Sequence, residues 1–330
     1  MLLPPEVPPF KAPQQRPGDA IVKTHAGAVA VLRETNFHKP PIPRVPIRTS
    51  RILLTMFLSL DPPAHTRLRR VVAPFFTPPA IAEHRDLLYQ LAERTLDDAP
   101  DHFDVVRDFA YPYTFAFACH LMGAREDDRP QLSGWIRTLT AALDEPLSLR
   151  KSDILPIVRA LASRSFRPVE AYRAGSGMVR YADDRLADTD TPITQALRDA
   201  VKAGDITKDE ATSTWLLLFI AGHETAANLI ANAVHALARH PGELAKVLAD
   251  PTLVASAVEE TLRWDPPVPL NVRTAQTPAR VADTEVAVGH AAFLSIRDAN
   301  RDPRAVADGD DFRVGRVPEA PHLVDVRDIP

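Results

Sequence analysis

Hydrophobic positions between Thr207 and Pro241 continue around almost every side of a helix instead of forming one stripe. Thr207 and Glu210 have the spacing of a capping box, in which each side chain accepts a hydrogen bond from an N–H group of the first turn. Pro241 ends the helix because it has no N–H group to donate. The predicted helix is ~48 Å long at the usual rise per residue. Because it is apolar on nearly all sides, we expect it to be buried.

The middle of this helix contains Ala221, Gly222, His223, Glu224 and Thr225. The glycine, the acid and the hydroxyl in this stretch each cost stability inside a buried helix. One interpretation is structural: Thr225 bonds back to the carbonyl of Ala221, and Gly222 lets another element approach closely. The other is functional: Gly222 opens a groove beside a bound group, where Glu224 and Thr225 handle protons. The segment alone leaves both interpretations open.

The remaining pattern alternates helical segments with short strand-like ones. We predict a mainly helical fold, with helices over residues 61–265 and a small β-rich part near 20–60 and 266–300. Residues 1–19 read as an extended, proline-rich leader. Residues 20–330 are predicted to form a single domain.

A second motif runs from Asp61 to Arg70, where Asp61 is the predicted N-cap of a helix with proline in its first turn. His65 and Arg69 are four residues apart and therefore lie on one face. That geometry suits a bound carboxylate. The alternative is an ordinary solvated basic face.

A third motif lies on a helix that begins at Asp250-Pro251 and ends before Asp265. Glu260 and Arg263 are one turn apart on this helix. By itself, such a pair is compatible with a surface ion pair of little energetic value.

Together, in this order and at these separations, the three motifs resemble the cytochrome P450 family of haem-thiolate monooxygenases in its soluble bacterial form. The resemblance implies that family's fold, in which a large helical domain with a long central helix accompanies a small β-rich domain. It also implies haem as cofactor, O2 activation and substrate hydroxylation. The implied partners are a small-molecule substrate and a ferredoxin-type redox protein.

The resemblance also assigns individual residues. Glu224 and Thr225 match the catalytic acid and alcohol of the distal haem helix, while Ala221 and Gly222 match its cofactor-facing positions. Three residues match positions that bind the haem propionates: His65, Arg69 and Arg273. Two match the family's structural Glu-x-x-Arg pair: Glu260 and Arg263.

The cysteine that defines the family's chemistry has no counterpart in this resemblance. Haem iron in this family is bound by a Cys thiolate, from a glycine-rich loop that would begin near Pro321-His322-Leu323. The sequence continues from there only to Pro330. We therefore expect a C-terminally truncated or degenerate member that lacks the ligand loop and the final helix.

The single cysteine, Cys119, lies in an apolar run from Tyr113 to Met122 that is closed by Gly123, a typical helix C-cap. Buried free cysteines behave as small hydrophobic residues. We therefore predict that Cys119 belongs to the core and is not the iron ligand.

A second departure from the family pattern concerns the residue before Phe312. The family usually has an arginine there, and this chain has Asp311. We therefore expect Arg263 to gain an acidic neighbour and Glu260 to lose a basic one.

Composition narrows the remaining possibilities. The chain has 330 residues, is 45% hydrophobic and carries a formal net charge of −4. This balance gives no general attraction to nucleic acid or to anionic lipid. One cysteine excludes a disulfide framework and a Cys-rich zinc site, and we assign no metal-ligating set. We found no apolar run of the ~20 residues that a membrane span needs and no signal pattern, so we expect a cytoplasmic protein.

Three hypotheses about function remain open. The chain is a monooxygenase-lineage protein that is impaired because the Cys loop is missing. Alternatively, it is a haem-free accessory protein that stabilises a partner enzyme such as a glycosyltransferase, which would cover the central-helix face left exposed. The third possibility is an active enzyme that binds haem through another residue, for which His322 is the nearest candidate. Retention of Glu224, Thr225, His65 and Arg69 favours the first.

Overall fold

A computed structural model describes residues 17–41, 47–143, 168–281, 284–317 and 320–323. Most of the predicted leader and the tail from residue 324 lie outside the described residues. The helices are α1 (His25–Arg33), α2 (Arg48–Leu54), α3 (Ala64–Val72), α4 (Pro78–Ala82), α5 (Arg85–Asp97), α6 (Tyr111–Met122), α7 (Arg129–Leu143), α8 (Pro168–Asp188), α9 (Pro192–Ala203), α10 (Lys208–Arg239), α11 (Pro241–Ala249), α12 (Val254–Trp264) and α13 (Ile296–Ala299). The strands are β1 (Ala20–Val22), β2 (Phe37–His38), β3 (Leu270–Ala275), β4 (Ala279–Val281), β5 (Thr284–Val286) and β6 (Ala291–Ser295).

The chain divides into two compact units. Unit 1 consists of Met1–Pro40 and Thr225–Pro330, and unit 2 of Pro41–Glu224. The long helix α10 begins in unit 2 and ends in unit 1.

Unit 2 is helical, and its core surrounds the first half of α10. Trp215 and Phe219 are fully buried there, with Phe115 of α6 at 5.5 Å between ring centroids from Phe219. The Trp215 indole Nε1–H donates to the carbonyl of Met122 at 2.9 Å. This bond satisfies a carbonyl at the end of α6, which closes on Gly123 in the left-handed conformation, as the sequence predicts.

Unit 1 contains the sheets. Four strands lie in the order β1-β6-β3-β2, with β1 and β6 parallel and the other neighbours antiparallel. Strands β4 and β5 form a separate antiparallel pair. The sheet side chains Val22, Ala275 and Leu294 are buried together with Leu323. The predicted mainly helical fold with a small sheet is therefore confirmed.

The boundaries of α10 agree with the sequence. The Glu210 amide donates to the Thr207 hydroxyl oxygen at 3.2 Å, and the Thr207 amide donates to the Glu210 carboxylate at 2.8 Å. This is the predicted capping box. The helix ends at Arg239, and α11 begins at Pro241.

The burial of α10 differs from the expectation. Residues Ala211–Leu217 are buried, whereas most residues after Phe219 are only partly buried, and Val234 is 38% exposed. By length and composition, α10 is also able to cross a membrane. Within its apolar 18-residue segment, 22% is buried. The sequence shows no uninterrupted apolar run of membrane-spanning length here, because polar residues interrupt it. One helix of this kind is weak evidence for a span, since core helices share these properties.

The beginning of α3 also differs from the prediction. The helix begins at Ala64, its N-cap residue is Pro63, and no side chain caps it. Asp61 participates instead through its backbone carbonyl, which accepts from the His65 amide at 3.1 Å. The two prolines between them shift the helix start by two positions, so Asp61 is not the predicted side-chain cap.

Candidate functional site

The middle of α10 has open space on one side. A Cβ atom on Gly222 would meet no atom within 4 Å, and Gly222 is exposed. The structural interpretation, in which Gly222 admits a neighbouring element, therefore has no support among the described residues. Ala221, Glu224 and Thr225 are partly buried. The Glu224 carboxyl and the Thr225 hydroxyl thus follow shortly after the open position at Gly222.

His223, in the same turn, has a structural environment that the sequence did not reveal. It is fully buried in unit 2. Its Nδ1 lies 2.7 Å from the carbonyl oxygen of Phe219, and its Nε2 lies 3.3 Å from the hydroxyl of Tyr111. Burial lowers the pKa of His223, and the bond to the Phe219 carbonyl offsets this only in part.

The predicted carboxylate-binding pair lies on α3. His65 is partly buried, with its ring edge-on to Phe57 at 5.9 Å, and Arg69 is exposed. Arg67, between them in sequence, instead binds Glu210 of the α10 capping box. This arrangement leaves Arg69 on the solvent side of α3, accessible to an anion.

Arg273 lies on β3 of unit 1 and is partly buried. Its guanidinium turns back along its own strand and donates to the Asn271 side chain and to the carbonyl of Val272. Arg273 is therefore already hydrogen-bonded to Asn271 and Val272 of its own strand.

Glu260 and Arg263 of α12 form a buried pair in unit 1. Two guanidinium nitrogens of Arg263 donate to the Glu260 carboxylate, Nε at 2.8 Å and Nη2 at 2.7 Å. The Glu260 side chain is 3% exposed and that of Arg263 is 5% exposed. The guanidinium also donates to three loop carbonyls: Asn300, Gly309 and Asp311. The surface ion pair considered above is therefore excluded.

The expectation that Glu260 loses a basic neighbour is wrong. Arg316 Nε donates to Glu260 Oε1 at 3.2 Å, and this side chain is only 12% exposed. The Asp311 carboxylate pairs with Arg313, and the Asp311 backbone carbonyl accepts a hydrogen bond from Arg263. The loop folds so that Arg316, four residues beyond Phe312, binds Glu260 in place of the arginine that the family pattern has immediately before this Phe. No local sequence signal marks Arg316 for this role.

The single cysteine is part of the unit 2 core. Cys119 is 2% exposed, and burial raises the pKa of its thiol to about 12. A thiol with this pKa is almost fully protonated at neutral pH, and the thiolate is the form that binds a metal. The sequence prediction that Cys119 is a core residue is confirmed by its burial.

His322, the alternative ligand considered from the sequence, is engaged within unit 1. Its Nε2 lies 2.9 Å from the Glu259 carboxylate. The next residue, Leu323, is buried, and its amide donates to the Asn300 side chain at 2.8 Å. Within the described parts of the chain, no group of three or more His, Cys, Asp or Glu side chains is placed to hold a metal ion.

Known proteins resemble this chain in both sequence and structure, although no protein-family model matches it. The biotin biosynthesis cytochrome P450 of Bacillus subtilis is 29% identical over 300 residues, which cover 89% of this chain and 73% of that protein. The putative cytochrome P450 123 of Mycobacterium tuberculosis is 35% identical over 277 residues, covering 82% and 64%. Ligand-free CYP164A2 of Mycobacterium smegmatis superimposes with a TM-score of 0.77 at 32% identity, covering 92% and 76%.

The chain belongs to the cytochrome P450 family, as the sequence motifs predict. Haem is the cofactor of this family. The chain spans 64% of the tuberculosis relative and 73% of the Bacillus relative. The only thiol among its 330 residues is the buried, protonated Cys119. The residues present therefore do not fit a thiolate-bound haem, although basic side chains that suit its carboxylates are present.

Proposed function

We propose that these 330 residues carry the oxygen-side residues of a cytochrome P450 monooxygenase but do not by themselves supply the thiolate that its chemistry needs. The observation that carries this proposal is the burial of Cys119, the only cysteine among these residues. It is enclosed by the unit 2 core, and the pKa of its thiol is raised to about 12 by that burial. On its own, the chain is then impaired as a monooxygenase.

The inherited roles follow from residue chemistry. Glu224 and Thr225 are a proton-carrying acid and alcohol that follow the open position at Gly222. His65, Arg69 and Arg273 are groups for the two carboxylates of a haem, because imidazole and guanidinium donors bind carboxylates well. A small-molecule substrate and a ferredoxin-type redox protein would be the partners of the complete activity.

Haem titration tests this assignment without measuring activity. Haemin is added to the purified chain, and the Soret absorption and Trp fluorescence quenching are followed. The Cys119→Ala variant should give the same spectrum as the unmodified chain, whereas the double variant His65→Ala/Arg69→Ala should bind more weakly. Arg70→Ala, an exposed arginine next to Arg69, is the matched control. A spectral change specific to Cys119→Ala would contradict the proposal.

A second candidate is a haem-free accessory role toward a partner enzyme such as a glycosyltransferase. The observation that favours it lies within unit 1, where α10 has no charged residue between Thr225 and Ala238 and yet most of its residues there are only partly buried. Exposed apolar surface marks partner sites or aggregation. The purified chain should bind a hydrophobic dye, and a partner from the same gene neighbourhood should abolish this binding. A monomeric, dye-negative chain without any partner would contradict this candidate.

A further inference from the structure

One directed row of hydrogen bonds in unit 2 connects Phe219, His223 and Tyr111. A carbonyl oxygen only accepts, so the 2.7 Å contact with Phe219 requires that His223 Nδ1 carries the proton. His223 Nε2 is then an acceptor, and the Tyr111 hydroxyl donates to it at 3.3 Å. The row thus joins α6 and α10.

Aromatic rings enclose the imidazole in this row. Tyr111 and Phe115 stand edge-on to the His223 ring at centroid distances of 5.2 and 5.4 Å, and Phe219 lies at 5.7 Å. His223 is fully buried. Burial of this kind strengthens each hydrogen bond and makes an unpaired partner costly. The imidazole therefore has one favourable orientation and one favourable tautomer.

The row ends on the turn of α10 that precedes Glu224. Gly222 lies in that turn, and glycine weakens a helix interior more than any residue except proline. The Phe219 carbonyl is also the regular i−4 acceptor of the His223 amide. The charge of Glu224 reaches the row as well, because after burial it is the next cause that raises the pKa of Tyr111. Arg137 of α7 is the other charged group that acts on Tyr111.

We propose that Tyr111 is a positioning residue, which acts through His223 to hold the glycine-weakened turn of α10 in the orientation that presents Glu224. The catalytic meaning of Glu224 rests on the proposed function above. The mechanical link does not, because it depends only on contacts inside unit 2.

The test compares Tyr111→Phe with Tyr113→Phe. Tyr113 is on the same helix, is half-buried and stacks on Phe109 at 5.6 Å, so it controls for the loss of a tyrosine hydroxyl. Amide hydrogen exchange in residues 220–225 should accelerate by about fivefold or more in Tyr111→Phe, the effect of leaving one buried acceptor unsatisfied. Tyr113→Phe should leave these amides unchanged.

Nitrogen-15 NMR of the His223 ring measures the pKa of this side chain, which a purely structural role of Tyr111 would leave unchanged. A hydrogen bond to the neutral imidazole disfavours its protonation, so Tyr111→Phe should raise the pKa of His223. In a His223→Leu background, Tyr111→Phe should add no further exchange, since no acceptor remains. An unchanged His223 pKa with unchanged exchange in Tyr111→Phe would overturn the proposal.

The unmodified chain offers an independent test if Tyr111→Phe does not fold. Its His223 ring must then show the Nδ1–H tautomer, and the Nε2–H tautomer would overturn the proposal. These readings are separate from haem binding. A chain that binds thiolate haem after all would refute the proposed function and leave the link between Tyr111 and His223 intact.

Discussion

Arg316 and Glu260 are bound to each other within unit 1, where Arg316 Nε donates to Glu260 Oε1 at 3.2 Å. Arg263 donates to both oxygens of the same carboxylate. Both guanidiniums also donate to carbonyl oxygens of the loop between residues 300 and 311. One buried acid therefore binds two arginines that together fix the path of this loop.

Arg316→Ala should lower the free energy of unfolding by about 1.5–3 kcal/mol, the usual value of a hydrogen bond to a charged group. The loss is moderate because Arg263 continues to neutralise Glu260. Arg313→Ala is the control, since its side chain pairs with the exposed Asp308 and Asp311 and should change stability by less than ~0.5 kcal/mol. Urea unfolding measures both, and equal effects would contradict the role of Arg316.

Glu260→Ala should be much more damaging than Thr225→Ala. The first leaves the buried guanidinium of Arg263 without its acid, at a cost of about 3–5 kcal/mol. The second removes one hydroxyl from a partly buried position of α10. Soluble yield under identical expression should therefore collapse for Glu260→Ala and stay close to normal for Thr225→Ala. Similar yields of the two variants would argue against a buried structural pair.

Cys119 should be chemically inert in the folded chain. With a thiol pKa of about 12 caused by burial, almost no thiolate is available at pH 8. A disulfide reagent should react with Cys119 only after denaturant is added. Cys119→Ala should destabilise the chain by about 1 kcal/mol, as is common for point mutations. Rapid labelling of the native chain would show that the thiol is accessible.

Glu210 should make stability depend on pH. The hydrogen bond from Arg67 lowers the pKa of Glu210 below its usual value. Protonation then favours the unfolded chain, so the stabilisation is present above about pH 4.5 and is lost as the pH falls through the folded-state pKa. The difference in urea midpoint between the unmodified chain and Glu210→Gln, which preserves the cap, should narrow as the pH falls from 7 toward about 4. A difference that widens would contradict this sign.

The parts of the fold that the sequence predicted depend on neighbours along the chain. The Thr207–Glu210 capping box, the end of α10 before Pro241 and the cap at Gly123 each involve residues within one turn. The family resemblance then supplied the arrangement of these elements. Local chemistry gave a wrong result at Asp61, because two consecutive prolines moved the helix start to Ala64.

The parts that the sequence did not predict depend on contacts across the fold. Tyr111 and His223 are 112 positions apart, and no residue next to either one in the sequence predicts their contact. Arg316 reaches Glu260 only because of the path of the intervening loop. Burial of α10 likewise depends on which elements cover it, so the hydrophobic pattern predicted burial along its whole length although most residues beyond Phe219 are only partly buried.

The ferrous carbon monoxide spectrum of the haemin-reconstituted chain tests the central claim most directly. Thiolate-bound iron gives a characteristic long-wavelength Soret band in this state. Because the only thiol among the 330 residues is buried and protonated, we predict that this band is absent, both in the unmodified chain and in Cys119→Ala. A long-wavelength Soret band at stoichiometric haem in the unmodified chain would contradict the claim.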